Sequence, residues 1–300
     1  MVRLLVIIFA FLSLNYSYLM AMDLVDMESM GYSAYSAGIG GISDIKNGPE
    51  AIFSNPALMG GQGLQLTGFS TENGSGADYR NIGATIQVPF GMVGVGISET
   101  INDGLLGFFK EQESENQVSK HSLKVVSGVS TAIVSGDWLI SMGISGILYK
   151  VETQFTDESS FDSNFGVSFS KENSRISILY KNALTSSFQT YFGASETIPS
   201  QLALSGSHYI ENLGVSIFGK SEFMEGTPVF SIGAQLSNLP LENLDILFGQ
   251  KGSLKNDVSV YHSTLGFSMT FEKKQLNYSM ELIDTGDIAH YFSSTINIYK

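Results

Sequence analysis

The chain has 300 residues, of which 43% are hydrophobic and only 15% charged, with 16 basic against 29 acidic side chains and no cysteine. The acidic balance and the scatter of the basic residues argue against a nucleic-acid partner, whose phosphates call for clustered Lys and Arg. The lack of cysteine excludes disulfides, thiolate metal sites, a cysteine nucleophile and a lipoprotein anchor.

In chain order, Met1-Val2-Arg3 and the apolar run from Leu4 to Leu14, broken only by Ser13, have the charged and hydrophobic regions of a secretory signal. Residues 1–21 are expected to be cleaved after Ala21, leaving a net charge of 15 − 29 = −14. The run is too short for a membrane helix, and no later stretch approaches 18 unbroken apolar residues. If the chain spans a membrane, it does so with strands.

Residues 22–63 form a separate N-terminal segment, rich in Gly, Ala, Ser and Met and without a sustained period of two. Asn47-Gly48-Pro49-Glu50-Ala51-Ile52-Phe53 reads as a short helical turn with Pro49 near its first position. Ser54-Asn55-Pro56-Ala57-Leu58-Met59-Gly60-Gly61 reads as a second, capped by Asn55, started by Pro56 and ended by glycine.

From residue 64 onward the pattern changes to alternation. Ile82, Ala84, Ile86 and Val88 interleave with Asn81, Gly83, Thr85 and Gln87, and Trp138, Ile140, Met142 and Ile144 with Leu139, Ser141, Gly143 and Ser145. The clearest case is Phe161 to Ser170, with Phe161, Phe165, Val167 and Phe169 on one set of alternate positions beside polar or small residues on the other. Fourteen strand candidates follow: 64–71, 79–90, 91–99, 118–132, 137–154, 160–170, 174–182, 199–208, 212–222, 227–237, 243–249, 258–271, 275–284 and 289–298.

Two observations choose between a soluble core and lipid as the partner of the apolar face. The clean segments run to about ten residues, where soluble strands average about 5 to 6 and a tilted membrane strand needs about 9 to 11. The polar face carries Ser, Asn, Thr, Gln and Gly more than Lys and Glu, and 15% charge is well below the usual value of about 25%. Phe161 and Phe169 lie roughly 20 Å apart in height at a tilt of about 40°, close to an outer-membrane apolar band. The apolar face is therefore assigned to lipid, and Asp162, Asn164, Gly166 and Ser168 to a lumen.

The connections sort as well. Tight turns at Pro89-Phe90-Gly91, Ser135-Gly136-Asp137, Lys171-Glu172-Asn173, Ile210-Glu211-Asn212, Asn238-Leu239-Pro240 and Glu272-Lys273-Lys274 alternate with longer loops, above all 100–117 and 183–198. Short turns at one end and long loops at the other belong to outer-membrane barrels. The predicted fold is all-β: an antiparallel transmembrane β-barrel of about 14 strands over 64–300, with a small N-terminal plug or hatch.

Three segments resemble the FadL-like outer-membrane barrels, and within them the PorV/PorQ-like and UPF0164-like members. Ala37-Gly38-Ile39-Gly40-Gly41 followed by Phe53-Ser54-Asn55-Pro56-Ala57-Leu58 is similar to the family's opening motif. Thr197-Ile198-Pro199-Ser200-Gln201-Leu202-Ala203-Leu204 resembles its Pro-led strand after a long loop. Leu276-Asn277-Tyr278-Ser279 with Gly286-Asp287-Ile288-Ala289-His290-Tyr291-Phe292-Ser293 resembles its closing hairpin. The chain departs from the family in Asn277 for Asp, in Ala289 for Gly, in the lack of a Gly after Asn-Pro-Ala, and in ending on Tyr299-Lys300.

Read by itself, Asn55-Pro56-Ala57 is a capped turn that closes the N-terminal segment. The resemblance implies more: that residues 22–60 fold into the lumen as a plug beside a ligand path carrying Phe53, Asn55, Pro56 and Ala57. The histidines His121, His208, His262 and His290 stand singly, with no HExxH or i,i+4 pair, and point to no metal site. Gly91-Met92-Val93-Gly94-Val95-Gly96 lacks the phosphate-binding GxGxxG spacing and reads as strand glycines that make room in the lumen. No GxSxG occurs, and no catalytic residue, enzyme activity or cofactor is expected. Glu111, Glu113, Glu115, Asp157 and Glu158 read as solvated loop charge, with divalent-cation bridging to lipid headgroups as the functional alternative.

The resemblance implies passive uptake of a hydrophobic small molecule across the outer membrane of a diderm bacterium, with outer-membrane lipid as the surrounding partner. Alternatives are a PorV-like barrel component or shuttle working with secretion-system proteins, and a structural surface porin. The membrane reading has a direct check: unfolded protein should regain structure only with detergent or lipid, and a soluble monomer refolded without either refutes it.

Overall fold

The computed structural model describes residues 32–72, 78–101, 120–153, 157–185, 187–189, 195–224, 227–237, 239–241, 243–255, 258–282 and 288–298. The signal region 1–21, residues 22–31, Leu105 to Lys110 and Glu111, Glu113 and Glu115 lie outside these ranges. The strands are β1 (Leu64–Glu72), β2 (Asp78–Val88), β3 (Gly91–Ile101), β4 (Lys120–Ser135), β5 (Trp138–Thr153), β6 (Asp157–Lys171), β7 (Ser174–Lys181), β8 (Ser187–Gln189), β9 (Ser195–Thr197), β10 (Gln201–Ile210), β11 (Val215–Met224), β12 (Thr227–Leu236), β13 (Leu244–Lys255), β14 (Val258–Phe271), β15 (Lys274–Leu282) and β16 (Ile288–Asn297).

Fourteen of these form one closed antiparallel barrel in chain order, and β8 with β9 makes a separate two-stranded ribbon. Closure is made by β1 against β16, from Gln65 opposite Asn297 to Glu72 opposite His290. Each of the fourteen strands has a hydrogen-bonded neighbour on both sides, as the hydrocarbon of a bilayer demands. The turns joining β2 to β3, β4 to β5, β6 to β7 and β14 to β15 lie at the same end as the start of β1 and the finish of β16.

The alternation read from the sequence faces as lipid requires. Ile82 is 72% exposed, Phe161 58% and Phe165 45%, while Asn81, Thr85, Asp162, Asn164 and Ser168 are buried. Outward Ile, Val, Leu and Phe continue around the wall, among them Ile97, Ile144, Ile178, Leu204, Ile232, Leu265 and Phe292. Trp138 marks the turn end of this belt, with the Lys171 ammonium 5.9 Å from its ring and 3.1 Å from Asp137.

The wall is not uniform. β7 has eight residues, so its ladder with β6 covers only Phe165 to Lys171, and the rest of β6 pairs with β5 alone. Past Lys181 the chain turns at Asn182 (φ 51°) and lies along this β6 segment. The Ala183 amide donates to the Ser163 carbonyl at 3.0 Å and the Leu184 amide to Asp162 Oδ1 at 2.9 Å. Asp157 and Glu158, read from the sequence as loop charge, belong to β6, and Asp157 pairs with Lys150 at 3.4 Å. The ribbon of β8 and β9 falls within the stretch 183–198 that the sequence reads as a plain loop. Both differences have one cause, because polar stretches without alternation give the sequence nothing to read while backbone pairing proceeds regardless.

Substituting Ile82→Arg places a cation on the outward face midway along β2. It should lower unfolding stability in lipid vesicles by about 2–4 kcal/mol. A loss below about 0.5 kcal/mol would show that this face does not meet hydrocarbon.

Candidate functional site

The barrel's interior is occupied by its own N-terminal segment. Ser33 caps a short buried helix, α1 (Ala34–Gly38), by accepting from the Ser36 amide, and the Ser36 hydroxyl returns a bond to the cap backbone. Such a reciprocal box satisfies amides that a buried helix end would leave bare. The chain leaves α1 through Gly40 and Gly41 at φ 80° and 78°, a region that favours glycine.

This half of the segment is bonded to the wall at many points. Ala34 donates its amide to Ser293 Oγ at 3.1 Å, and its carbonyl accepts from Ser279 Oγ at 2.8 Å. Thr264 Oγ1 donates to the Gly38 carbonyl at 3.0 Å and accepts from the Gly40 amide at 3.2 Å. Further on, Arg175 Nη1 donates to the Ile45 carbonyl at 2.5 Å and Lys46 Nζ to Gln275 Oε1 at 2.9 Å. Ile39 sits where Gly233 and Gly249 leave room: a Cβ on Gly233 would stand 2.6 Å from the Ile39 carbonyl oxygen.

The second half consists of two 3-10 turns, Pro49–Phe53 and Pro56–Leu58, tied together by the Gly48 amide donating to the Leu58 carbonyl at 3.1 Å. Asn55 Oδ1 accepts from the Ala57 amide at 3.1 Å and so caps the second turn. These residues lie in a bay of the wall formed by inward glycines on β2 to β6. A Cβ on Gly96 would stand 2.5 Å from the Phe53 ring, and one on Gly94 2.6 Å from Met59 Sδ. One on Gly143 would collide with the Pro56–Ala57 backbone, and one on Gly166 with Asn55 Oδ1. The glycines thus make the space that the turns fill.

The structure brings Phe53, Asn55, Pro56, Ala57 and Gly166 together in this bay, all buried. Asn164 and Ser168 are engaged elsewhere. Asn164 Oδ1 accepts from the Asn182 amide at 3.0 Å, holding the turn after β7, and Ser168 Oγ accepts from Ser177 Oγ at 3.1 Å. The closing-hairpin residues join the site through Ser279 and Ser293, with Asn277 Nδ2 donating to Ser293 Oγ at 3.1 Å. Pro199, from the middle segment, accepts through its carbonyl from Asn182 Nδ2 at 3.3 Å.

Sequence reasoning missed the buried charges. Lys220 Nζ lies 2.8 Å from Glu222 and 3.9 Å from Asp44 of the N-terminal segment, Lys181 Nζ lies 3.5 Å from Glu222, and Ser205 donates to Asp44. His262 Nδ1 lies 2.8 Å from Glu281, which also accepts from the Tyr291 hydroxyl. The Lys124 ammonium stands 5.2 Å from the Tyr32 ring and 5.5 Å from that of Tyr149. Tyr291 stacks on Phe69 at 6.1 Å, and Phe69 meets Tyr79 edge-on at 5.7 Å. A signal existed, since Lys220 and Glu222 share the polar positions of β11 with Ser216, opposite Ile217 and Phe223. Elsewhere His208 pairs with Ser174 and His290 with Tyr278. Among the described residues no three His, Asp or Glu side chains gather as a metal site would need.

No protein-family model and no curated protein matches the chain. Several solved structures share its fold. The toluene transporter TodX of Pseudomonas putida superposes with a TM-score of 0.62 at 13% identity, over 89% of this chain and 98% of its own. The toluene transporter TbuX of Ralstonia pickettii gives 0.61 at 11%, over 91% and 100%. A FadL homologue from Pseudomonas aeruginosa gives 0.58 at 10%, over 89% and 98%. At such identities the likeness is one of fold. The molecule is a closed fourteen-stranded barrel of the outer-membrane type, and its architecture is that of the FadL-like barrels.

The bay can be tested by filling it. Gly143→Val should displace the second half of the segment and raise single-channel conductance in planar bilayers while the barrel still folds. Gly219→Val, where nothing stands within 4 Å of the new Cβ, should leave conductance unchanged. Equal conductance for both would mean that the turns do not obstruct the lumen.

Proposed function

We propose that this protein is an outer-membrane channel for the passive uptake of small hydrophobic molecules, exported by the signal at residues 1–21, with residues 22–63 acting as its plug. The observation that carries this reading is the lumen itself. Where a general porin leaves an aqueous channel, residues 32–59 lie inside the lumen and are buried except at Gly41, Lys46 and Asn47. Beside Tyr32 of the segment stands an aromatic group, Phe69, Tyr79, Tyr149 and Tyr291, a surface that suits an apolar solute. The fold shared with TodX and TbuX, which are described as toluene transporters, supports the same class of cargo. Transport needs no catalytic residue or cofactor on this reading. The tight-turn end, which also holds both ends of the barrel sequence, faces the periplasm.

The test uses N-phenyl-1-naphthylamine as a hydrophobic fluorescent probe. Cells of a lipopolysaccharide-bearing host that produce the full chain should take it up faster than cells without it. Deleting residues 24–58 should add a steady ionic leak in planar bilayers. Uptake equal to that of the empty host would remove the transport reading, and unchanged conductance after the deletion would remove the plug.

A further inference from the structure

The two halves of the N-terminal segment are held by different physics. Residues 34–46 are fixed to the wall by directed bonds from Ser293, Ser279, Thr264, Arg175, Gln275 and the Asp44 ion pair. Residues 49–59 make one hydrogen bond to the wall among the described residues, Ser130 Oγ donating to the Met59 carbonyl at 3.2 Å. Their hold is otherwise the packing of Ile52, Phe53 and Met59 against glycines, which is non-directional.

The bay also carries unpartnered hydroxyls, whereas in the seat of the first half the atoms without a hydrogen-bond partner are the side-chain carbonyl oxygen of Asn277 and one oxygen of Asp44. Thr67 Oγ1, Thr85 Oγ1, Ser145 Oγ and Asn55 Nδ2 are buried there without a hydrogen-bond partner. The three wall residues surround Ile52. A Cβ on Gly83 would touch Thr67 and Ile52 at 3.2 and 3.3 Å, one on Gly94 Thr85 and Ile52 at 3.2 and 3.1 Å, and one on Gly128 both Ser145 and Ile52 at 3.0 Å. A buried hydroxyl without a partner destabilises the state that buries it and regains hydration when that state opens. On the α1 side, the hydroxyls of Ser279, Ser293 and Thr264 are all bonded to the segment.

We infer that passage opens between residues 49–59 and the glycine-lined wall of β2 to β6, with α1 remaining docked on β13 to β16 and residues 39–46 on β7 and β11 to β15. The inference rests on the uptake reading for what passes, but not for which half moves. Release of the second half exposes a slot with a glycine floor, rimmed by hydroxyls from Thr67, Thr85 and Ser145. The slot takes a flat or slender apolar molecule, and the rim offers hydrogen bonds to a polar end. The hinge is Asn47-Gly48, between Lys46, which is bonded to Gln275, and the first 3-10 turn.

The chain has no cysteine, so engineered pairs report cleanly. Oxidised Met59→Cys/Ser130→Cys should cut N-phenyl-1-naphthylamine uptake about tenfold, with recovery on reduction, because a gate held shut limits flux. Oxidised Ala34→Cys/Ser279→Cys should stay within about twofold of its reduced form. The reverse pattern, or a block by both pairs, overturns the inference. Amide hydrogen exchange of the unmodified full chain in detergent supplies a readout that needs no transport. Residues 49–59 should exchange about 100-fold faster than 34–41, although both stretches have internal backbone bonds. Equal protection overturns the inference. Faster exchange of 49–59 in a protein that takes up no probe keeps the moving half and removes only the uptake reading.

Discussion

Volume is the constraint on which the rest depends. Inward side chains fill a barrel of about eight strands, and each added strand widens the lumen beyond their reach. With fourteen strands, the wall must be furnished from elsewhere, and residues 32–59 supply the contents. The wall answers with two sets of glycines, one on β12 and β13 for Ile39 and Gly40 and one on β2 to β6 for Ile52 to Met59. Each glycine forgoes strand propensity and side-chain packing of its own. The loss is tolerable because another part of the chain occupies the space at close contact.

The wall was legible because its code is simple. A period of two sustained over about ten residues, apolar on one side and small on the other, has few physical solutions. Fourteen strands and their alternating connections could be placed from Leu64 onward on that basis. Where the code lapses, so did the reading. Gln250-Lys251-Gly252-Ser253 is polar on both faces, so β13 reads as ending near 249, yet the ladders to β12 and β14 carry it to Lys255. The helix α1 is five residues long and too short for an amphipathic period. It exists because Ser33 and Ser36 cap it and the wall buries it.

The interior was half legible. Alternate glycines at 94 and 96 announced room in the lumen, and Asn55-Pro56 announced a capped turn, but only the folded chain puts one against the other. Asn164 shows the limit of parity: it points inward as its position requires, and its work is to hold Asn182 rather than to line an open path. The ion network of Lys181, Lys220, Glu222 and Asp44 was hidden by weighing composition over position. A buried ion pair returns little net stability against hydrophobic neighbours of the same size. Its use here is geometric, since Asp44 fits one place among Lys220 and Ser205 and thereby fixes where the segment crosses the barrel.

The bonds that seat α1 come from the far end of the chain. Ala34 reaches Ser279 and Ser293 across 245 and 259 positions, and β1 closes the ring with β16. Contacts of such separation form late, because the loop entropy is charged before they return anything. The helix α1 therefore lacks its Ser279 and Ser293 partners until the last hairpin exists, and the ring has no seam until that hairpin meets β1. One hairpin thus serves as both the seat of α1 and the clasp of the ring.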